Sequence, residues 1–240
     1  MATSALKAMR EFELTEADFR FLARQVHELT GIVIHERKRS MVYSRLSRRL
    51  RVLNLPSFRD YCDYVGRPDG ASEMGAMINA ITTNLTHFFR ESHHFDHLRD
   101  VALPAFAEAG RLAGKQKLRL WSAGCSSGEE PYSIAMTVKS AAIDFSCWDL
   151  RILATDLDTD MVAKGAAGHY RAADAEGIPA ELAAKYTDEA ATPAGPEVRM
   201  RDGLKQMIAF KQLNLMGDWP MRGPFDAIFC RNVMIYFDPP

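Results

Sequence analysis

The sequence predicts an α/β fold, a Rossmann-like domain with a small inserted β-subdomain, preceded by an all-helical N-terminal domain. Three observations predict it. A strand-compatible stretch, Lys117 to Trp121, runs into a turn of small residues, Ser122 to Gly128, and then into a helix-compatible run, Tyr132 to Val138. That is the layout of a nucleotide-binding crossover. Three further apolar segments, 149–154, 208–213 and 225–230, also end in polar residues, where open α/β sheets place ligands. Residues 12–82, by contrast, read as a small all-helical unit.

Composition sets the outer bounds. The chain has 240 residues, 47% apolar and 25% charged, which is ordinary for a soluble globular protein of one large domain or two modest ones. No apolar run reaches bilayer-spanning length, and the first residues lack the apolar core of a signal peptide, so a cytoplasmic protein without membrane insertion is expected. Cys62, Cys125, Cys147 and Cys230 show no Cys-x-x-Cys spacing and read as free thiols. A net charge of −1 argues against a generic polyanion binder.

Taken in order, Thr15 caps a helix over 14–30, with Phe19, Leu22, Val26 and Leu29 on its core face. Gly31 ends it, and Ile32 to Ile34 forms an extended link. Arg39 to Leu53 is a second helix with a seam of Val42, Leu46, Leu50 and Leu53. Between His35 and Arg59, eight Lys/Arg stand against one acid, Glu36. Lys38, Arg45, Arg48 and Arg49 fall on one face, which reads either as a solvated charge face or as a dock for an acidic partner. Helices over 57–65 and 72–81, separated by the turn Arg67 to Gly70, complete the helical unit.

The segment Thr82 to Ser92 is polar and aromatic, with no clean period. Asn84, Thr86 and Arg90 are candidates to converge on a ligand while Phe88 and Phe89 pack. A helix follows from His93 to Ala109 and stops at Gly110. His93 and His97 have a metal-compatible spacing, but no Cys or Glu partner completes a set, so no metal site is expected.

At the crossover, Glu129 and Glu130 occupy the helix start, where a phosphate binder keeps bare N–H groups. Two carboxylates repel phosphate and favour a cationic amine or sulfonium, and S-adenosylmethionine carries both. Equally, they complement the helix dipole. Asp156, ending the second strand, stands where such folds bind ribose hydroxyls, or it caps the helix 159–166, a role Asp158 could take instead. Residues 170–207 read as an insertion, a small antiparallel subdomain built on the main sheet. Asn214 follows the third strand, where it pairs with an adenine edge or caps a turn. Arg231 and Asn232 follow the fourth.

Four blocks in this order resemble the CheR family of chemoreceptor glutamate methyltransferases: TTNLTHFFRE (82–91), WSAGCSSGEEPYSIA (121–135), ATDLDTD (154–160) and FDAIFCRNVMIYFD (225–238). HERKRSMVYSRLSRRLR (35–51) is similar to the family's basic N-terminal helix. The resemblance implies a helical domain (12–82), a linker segment and helix (83–115) and a class I S-adenosylmethionine-dependent methyltransferase domain (116–240, insert 170–207). It assigns cofactor contacts to Asn84, Thr86, Arg90, Glu130, Asp156, Asn214, Leu215, Arg231 and Asn232. Tyr236 is implied near the transferable methyl, and Glu130 is favoured over Glu129 as the cofactor contact; Arg90 suits the orientation of an acceptor carboxylate by a bidentate contact.

The implied reaction moves methyl from S-adenosylmethionine to receptor glutamate side chains, giving S-adenosylhomocysteine and a glutamyl methyl ester. Implied partners are the cytoplasmic domains of methyl-accepting chemoreceptors, docked on Lys38, Arg45, Arg48 and Arg49, with the enzyme a monomer. The chain stops just past the fourth strand, where the family continues, so an open edge strand and a C-terminally incomplete catalytic domain are expected. A non-catalytic cofactor-binding or receptor-docking module is the alternative. A nucleic-acid methyltransferase fits less well, because the GEEPYS and RNVMIYF blocks count against it.

Overall fold

Residues 11–237 are described by the structure, a computed structural model; they divide into a helical unit, 11–83 with 235–237, and an α/β unit, 84–234. In the helical unit, α1 (Glu16–Thr30) starts on a capping box: Asp18 N–H donates to the Thr15 hydroxyl and Thr15 N–H to the Asp18 carboxylate, both at 3.2 Å. Gly31, at φ 72°, ends it in the left-handed region. Next come α2 (Arg39–Leu53), α3 (Phe58–Val65), capped by the Ser57 hydroxyl, and α4 (Ala71–Ile81). Phe19, Leu22 and Val26 pack with Val42, Leu46, Leu50, Phe58, Tyr61 and Met77 in one buried core. Leu29, expected on that face, is exposed; Thr30 is buried in its stead. The Thr30 hydroxyl donates to the Val26 carbonyl at 2.6 Å and accepts from Ile32 N–H at 3.1 Å, which winds the last turn onto the cap. The link at Ile32 is extended and bridges Phe237.

The α/β unit opens with the aromatic segment, then α5 (His93–His97), a π turn (Leu98–Ala102) and α6 (Leu103–Ala113). A single helix stopping at Gly110 was the expectation. Pro104 offers no N–H to the carbonyl four residues back, and the widened turn lies over that missing bond. Gly110 is internal to α6 because a Cβ there would stand 2.4 Å from the Trp148 ring. The left-handed stop is Gly114, φ 62°.

The main sheet is parallel, in the order β6-β2-β1-β7, with β1 Lys117–Ala123, β2 Asp149–Asp156, β6 Ile208–Gln212 and β7 Ala227–Phe229. The order reverses between β1 and β7, which makes their carboxyl ends the switch-point crevice of an open α/β sheet. β1 and β2 run two residues further than the apolar pattern marks, since the ladder continues through Ser122 opposite Ala154 and Ala123 opposite Thr155. β7 is shorter than the predicted 225–230. Asp226 turns back to accept from Arg119 N–H at 2.7 Å, and among the described residues β7 pairs with β1 alone.

Helices α7 (Glu129–Ser140) and α8 (Thr159–Ala167) follow β1 and β2. Tyr132, Ile134 and Met136 of α7 join Leu118, Leu120, Ile152, Phe88, Phe95 and Leu103 in the core. The insert carries β3 (His169–Arg171), α9 (Ala180–Tyr186), β4 (Thr187–Thr192) and β5 (Gly195–Met200). Its strands form a separate antiparallel sheet, β3-β5-β4, rather than an extension of the main one. The short α10 (Asp202–Lys205) leads into β6. No helix among the described residues is long and apolar enough to cross a membrane.

Candidate functional site

The turn after β1 hangs from β2. The Thr155 carbonyl accepts from the N–H groups of Gly124 and Cys125, each at 2.8 Å, and the Thr155 hydroxyl accepts from the Trp121 indole at 2.9 Å. Gly124 and Gly128 have φ of 79° and 99°. The close neighbours are protein: a Cβ on Gly124 would lie 2.2 Å from Val233, and one on Gly128 2.8 Å from the Tyr170 hydroxyl oxygen.

Three carboxylates surround this turn. Asp156 accepts from Ser126 N–H at 2.7 Å and from Asp158 N–H at 2.9 Å. Burial raises its pKa, and the two N–H groups oppose that rise. It does not cap α8; Asp158 does, accepting from the N–H groups of Asp160 and Met161 at 3.0 and 3.2 Å. Asn84 donates to the other oxygen of Asp158 at 2.8 Å.

Glu129 and Glu130 differ sharply in surroundings. Glu129 is buried, with both oxygens 2.8 Å from the Ser127 hydroxyl, and its pKa is raised by burial. Glu130 lies at the switch point. One oxygen accepts from the Ser122 hydroxyl at 2.7 Å, the other from Arg231 at 3.1 Å, and burial raises its pKa against both partners.

Arg231 gathers the rest. Besides Glu130 it donates to the Arg90 carbonyl, approaches the Glu91 carboxylate at 3.3 Å and lies over the Phe95 ring at 5.5 Å. Arg90 donates to the Leu85 carbonyl at 2.8 Å. Thr86 is half-buried in the same segment. After β6, the Asn214 side chain accepts from Met216 N–H at 3.0 Å, closing a turn, and Leu215 packs with Trp121 and Leu213. Asn232 is left-handed, φ 57°. Tyr236 belongs to the helical unit, where its carbonyl accepts from Val33 N–H at 3.0 Å and the Lys38 ammonium lies 5.0 Å from its ring centre.

Two expectations need correction. The arginines of α2 do not all lie on a solvated face. Arg45 caps the carboxyl end of α4, donating to the carbonyls of Ala80, Ile81 and Thr82 at 3.3, 2.8 and 2.5 Å. Arg49 grips the buried Glu73 through two bonds of 2.9 and 2.6 Å, and Tyr61 donates to the same carboxylate at 2.9 Å. Arg48 is exposed. Second, a glutamate does accompany the histidines: Glu91, His93 and His94 bring ligand atoms within 4.8 Å of one another. Arg231 already faces that carboxylate, so a divalent ion there would stand against a guanidinium.

Sequence reasoning passed over the serines. Ser122, Ser126 and Ser127 read only as small turn residues, yet their hydroxyl or N–H groups orient Glu130, Asp156 and Glu129. The signal was present as three hydroxyls inside six residues beside two acids. The resulting set suits a ligand carrying a positive charge and hydroxyl groups. Two partly desolvated carboxylates lie at adjacent strand ends with acceptor capacity to spare, since each ionised carboxylate offers about four lone-pair sites. A phosphate would meet only repulsion from them.

The family model described as CheR methyltransferase, SAM binding domain, matches residues 84–240, and the one described as CheR methyltransferase, all-alpha domain, matches residues 17–82. The chain is 43% identical to a probable chemotaxis protein methyltransferase of Rhizobium etli, over 90% of this chain and 80% of that protein. It is 43% identical to chemotaxis protein methyltransferase 2 of Pseudomonas aeruginosa, over 96% and 80%. With the chemotaxis protein methyltransferase of Escherichia coli it shares 41% identity over 98% and 80%.

Proposed function

The chain belongs to the CheR methyltransferase family, and we propose that it transfers a methyl group from S-adenosylmethionine to glutamate side-chain carboxylates on the cytoplasmic helical bundle of chemoreceptors. The observation that carries this reading is the pair of largely buried carboxylates, Glu130 in the first turn of α7 after β1 and Asp156 at the carboxyl end of the neighbouring parallel strand β2. Asp156 would accept from ribose hydroxyls and Glu130 from the cofactor's amino group. Asn84, Thr86, Arg90, Asn214, Leu215, Arg231 and Asn232 would complete the cofactor contacts. When bound, the donor would supply a methyl group on a sulfonium; transfer to a carboxylate oxygen would leave the C–S electron pair on sulfur.

The acceptor glutamate has a reference pKa of about 4.3, so it is ionised at neutral pH and needs no general base. Position matters more than activation here, and aligned reactants can contribute roughly 7–11 kcal/mol to such a step. Arg90 suits the orientation of the incoming carboxylate by a two-pronged contact. Tyr236 is assigned to the transfer step on the family resemblance, with Tyr236→Phe as its check. For docking, Arg48 and Lys38 are the better candidates, because Arg45 and Arg49 bind inside the helical unit.

Labelled methyl from S-adenosylmethionine, offered with receptor-containing membranes, tests the reading. Base-labile label on the receptor is expected, as a carboxyl ester requires. Base-stable label, or label on nucleic acid, would overturn it; cofactor binding without transfer would favour the non-catalytic alternative.

A further inference from the structure

The segment that presents Arg90 is strained. Phe89 and Glu91, neither of them glycine, have φ of 51° and 54°. Residues held in the left-handed region persist only where the surroundings over-determine them, and they cluster at functional sites. Arg90 lies between the two. Several groups hold this turn in place.

One of those groups is Ser133, fully buried on the second turn of α7. Its hydroxyl donates to the Glu129 carbonyl at 2.7 Å, one helical turn back. That bond fixes where the hydroxyl proton goes and leaves the oxygen lone pairs facing outward from the helix. Into them the N–H of Phe89 donates at 2.9 Å, across 44 residues of chain. The turn is held on its other side by Arg231, which donates to the Arg90 carbonyl. Phe88 packs edge-on against Tyr170 and Phe89 against Phe95, at 4.9 and 5.2 Å between ring centres. The Ser133 hydroxyl is the contact that fixes the backbone at the first left-handed residue.

We infer that Ser133 is a positioning residue for methyl transfer, pinning the left-handed turn Phe89-Arg90-Glu91 so that Arg90 is held ready for the acceptor carboxylate. The inference rests on the methyltransferase reading for its consequence, and on the hydrogen-bond geometry for the pin itself. Removing the hydroxyl leaves the partly buried Phe89 N–H without this acceptor and frees a strained backbone to relax toward ordinary φ.

Thr137 provides the control. One turn further along α7, its hydroxyl donates to the Ser133 carbonyl at 2.8 Å, and it too is buried. A purely structural role predicts that Ser133→Ala and Thr137→Val behave alike. Two readouts on the full chain separate the roles. The first, without any ligand, is the rate of tryptic cleavage after Arg90, followed by mass spectrometry well below the melting temperature. The second is methyl transfer to receptor-containing membranes, split into kcat and the affinity for S-adenosylmethionine.

Ser133→Ala is expected to accelerate cleavage after Arg90 and to lower kcat by roughly 10- to 100-fold, the scale of a misplaced catalytic group, with little change in cofactor affinity. Thr137→Val should leave both near wild type. Should Ser133→Ala fail to fold, Ser133→Cys keeps the volume with a weaker acceptor and is expected to fall between the two. Cleavage after Arg90 that rises no more than in Thr137→Val overturns the inference. A wild-type chain that transfers no methyl defeats the methyltransferase reading, while the cleavage comparison still decides whether Ser133 holds the turn.

Discussion

Arg231, just past β7, donates to the Glu130 carboxylate at 3.1 Å, joining residues 101 apart in the chain across the switch point of the sheet. The pair is largely buried, with side-chain exposures of 11% and 14%. Burial raises the Glu130 pKa, and the Ser122 hydroxyl and Arg231 oppose that rise. Removing one partner of such a pair leaves an uncompensated buried charge.

Arg231→Ala should therefore destabilise the fold by about 3–5 kcal/mol. Adding Glu130→Gln should recover part of that loss, because the orphaned charge disappears. Chemical denaturation of the two single variants and the double variant gives the coupling directly. Strict additivity would mean the two side chains do not depend on each other.

Glu129 is likewise a carboxylate whose pKa burial raises. Its ionisation therefore costs stability above the folded value, and the cost is absent below the ordinary carboxylate value near 4.3. Glu129→Gln keeps an acceptor for the Ser127 hydroxyl and removes the charge. The variant should be at least as stable as wild type at pH 7, with any advantage shrinking as pH falls through the folded pKa toward pH 4. Stability of both proteins measured across that window checks the sign; an advantage that grows on acidification would contradict it.

In the helical unit, Arg49→Ala removes the guanidinium from the buried Glu73, leaving it the Tyr61 hydroxyl, and should cost about 3–5 kcal/mol. Arg48→Glu, on the exposed face, should change stability by no more than about 0.5 kcal/mol. If the basic helix docks acidic receptor segments, Arg48→Glu raises the receptor KM and leaves cofactor affinity unchanged. Melting curves and kinetics together separate docking from folding.

Arg90→Ala should lower methyl transfer by far more than it lowers S-adenosylmethionine binding, as expected for a group that acts on the acceptor. Comparing kcat/KM with calorimetric affinity measures the two losses. Equal losses would make Arg90 a cofactor contact and nothing more.

Much of the fold was legible because local chemistry and packing agree. Thr15, Ser57 and Gly31 terminate helices as their residue types dictate, and the seam Val42-Leu46-Leu50 is buried as its spacing requires. The failures come from contacts distant in sequence. Gly110 looked like a stop, but Trp148 explains it. The arginines of α2 read as one charged face because Glu73 lies 24 residues beyond Arg49 and the carbonyl end of α4 lies 35 or more beyond Arg45. At the site, the acids could be named from the sequence, whereas Ser133 could not, since its partner Phe89 is 44 residues away and binds through a backbone N–H.

The central claim is that the acidic strand ends hold the methyl donor, and titration calorimetry with S-adenosylmethionine tests it most directly. Wild type should bind, Glu129→Gln should bind equally, and Asp156→Asn should bind about tenfold more weakly or worse, a loss of ~1.4 kcal/mol or more. Equal affinity in all three proteins, or no binding by the wild-type chain, would contradict the account.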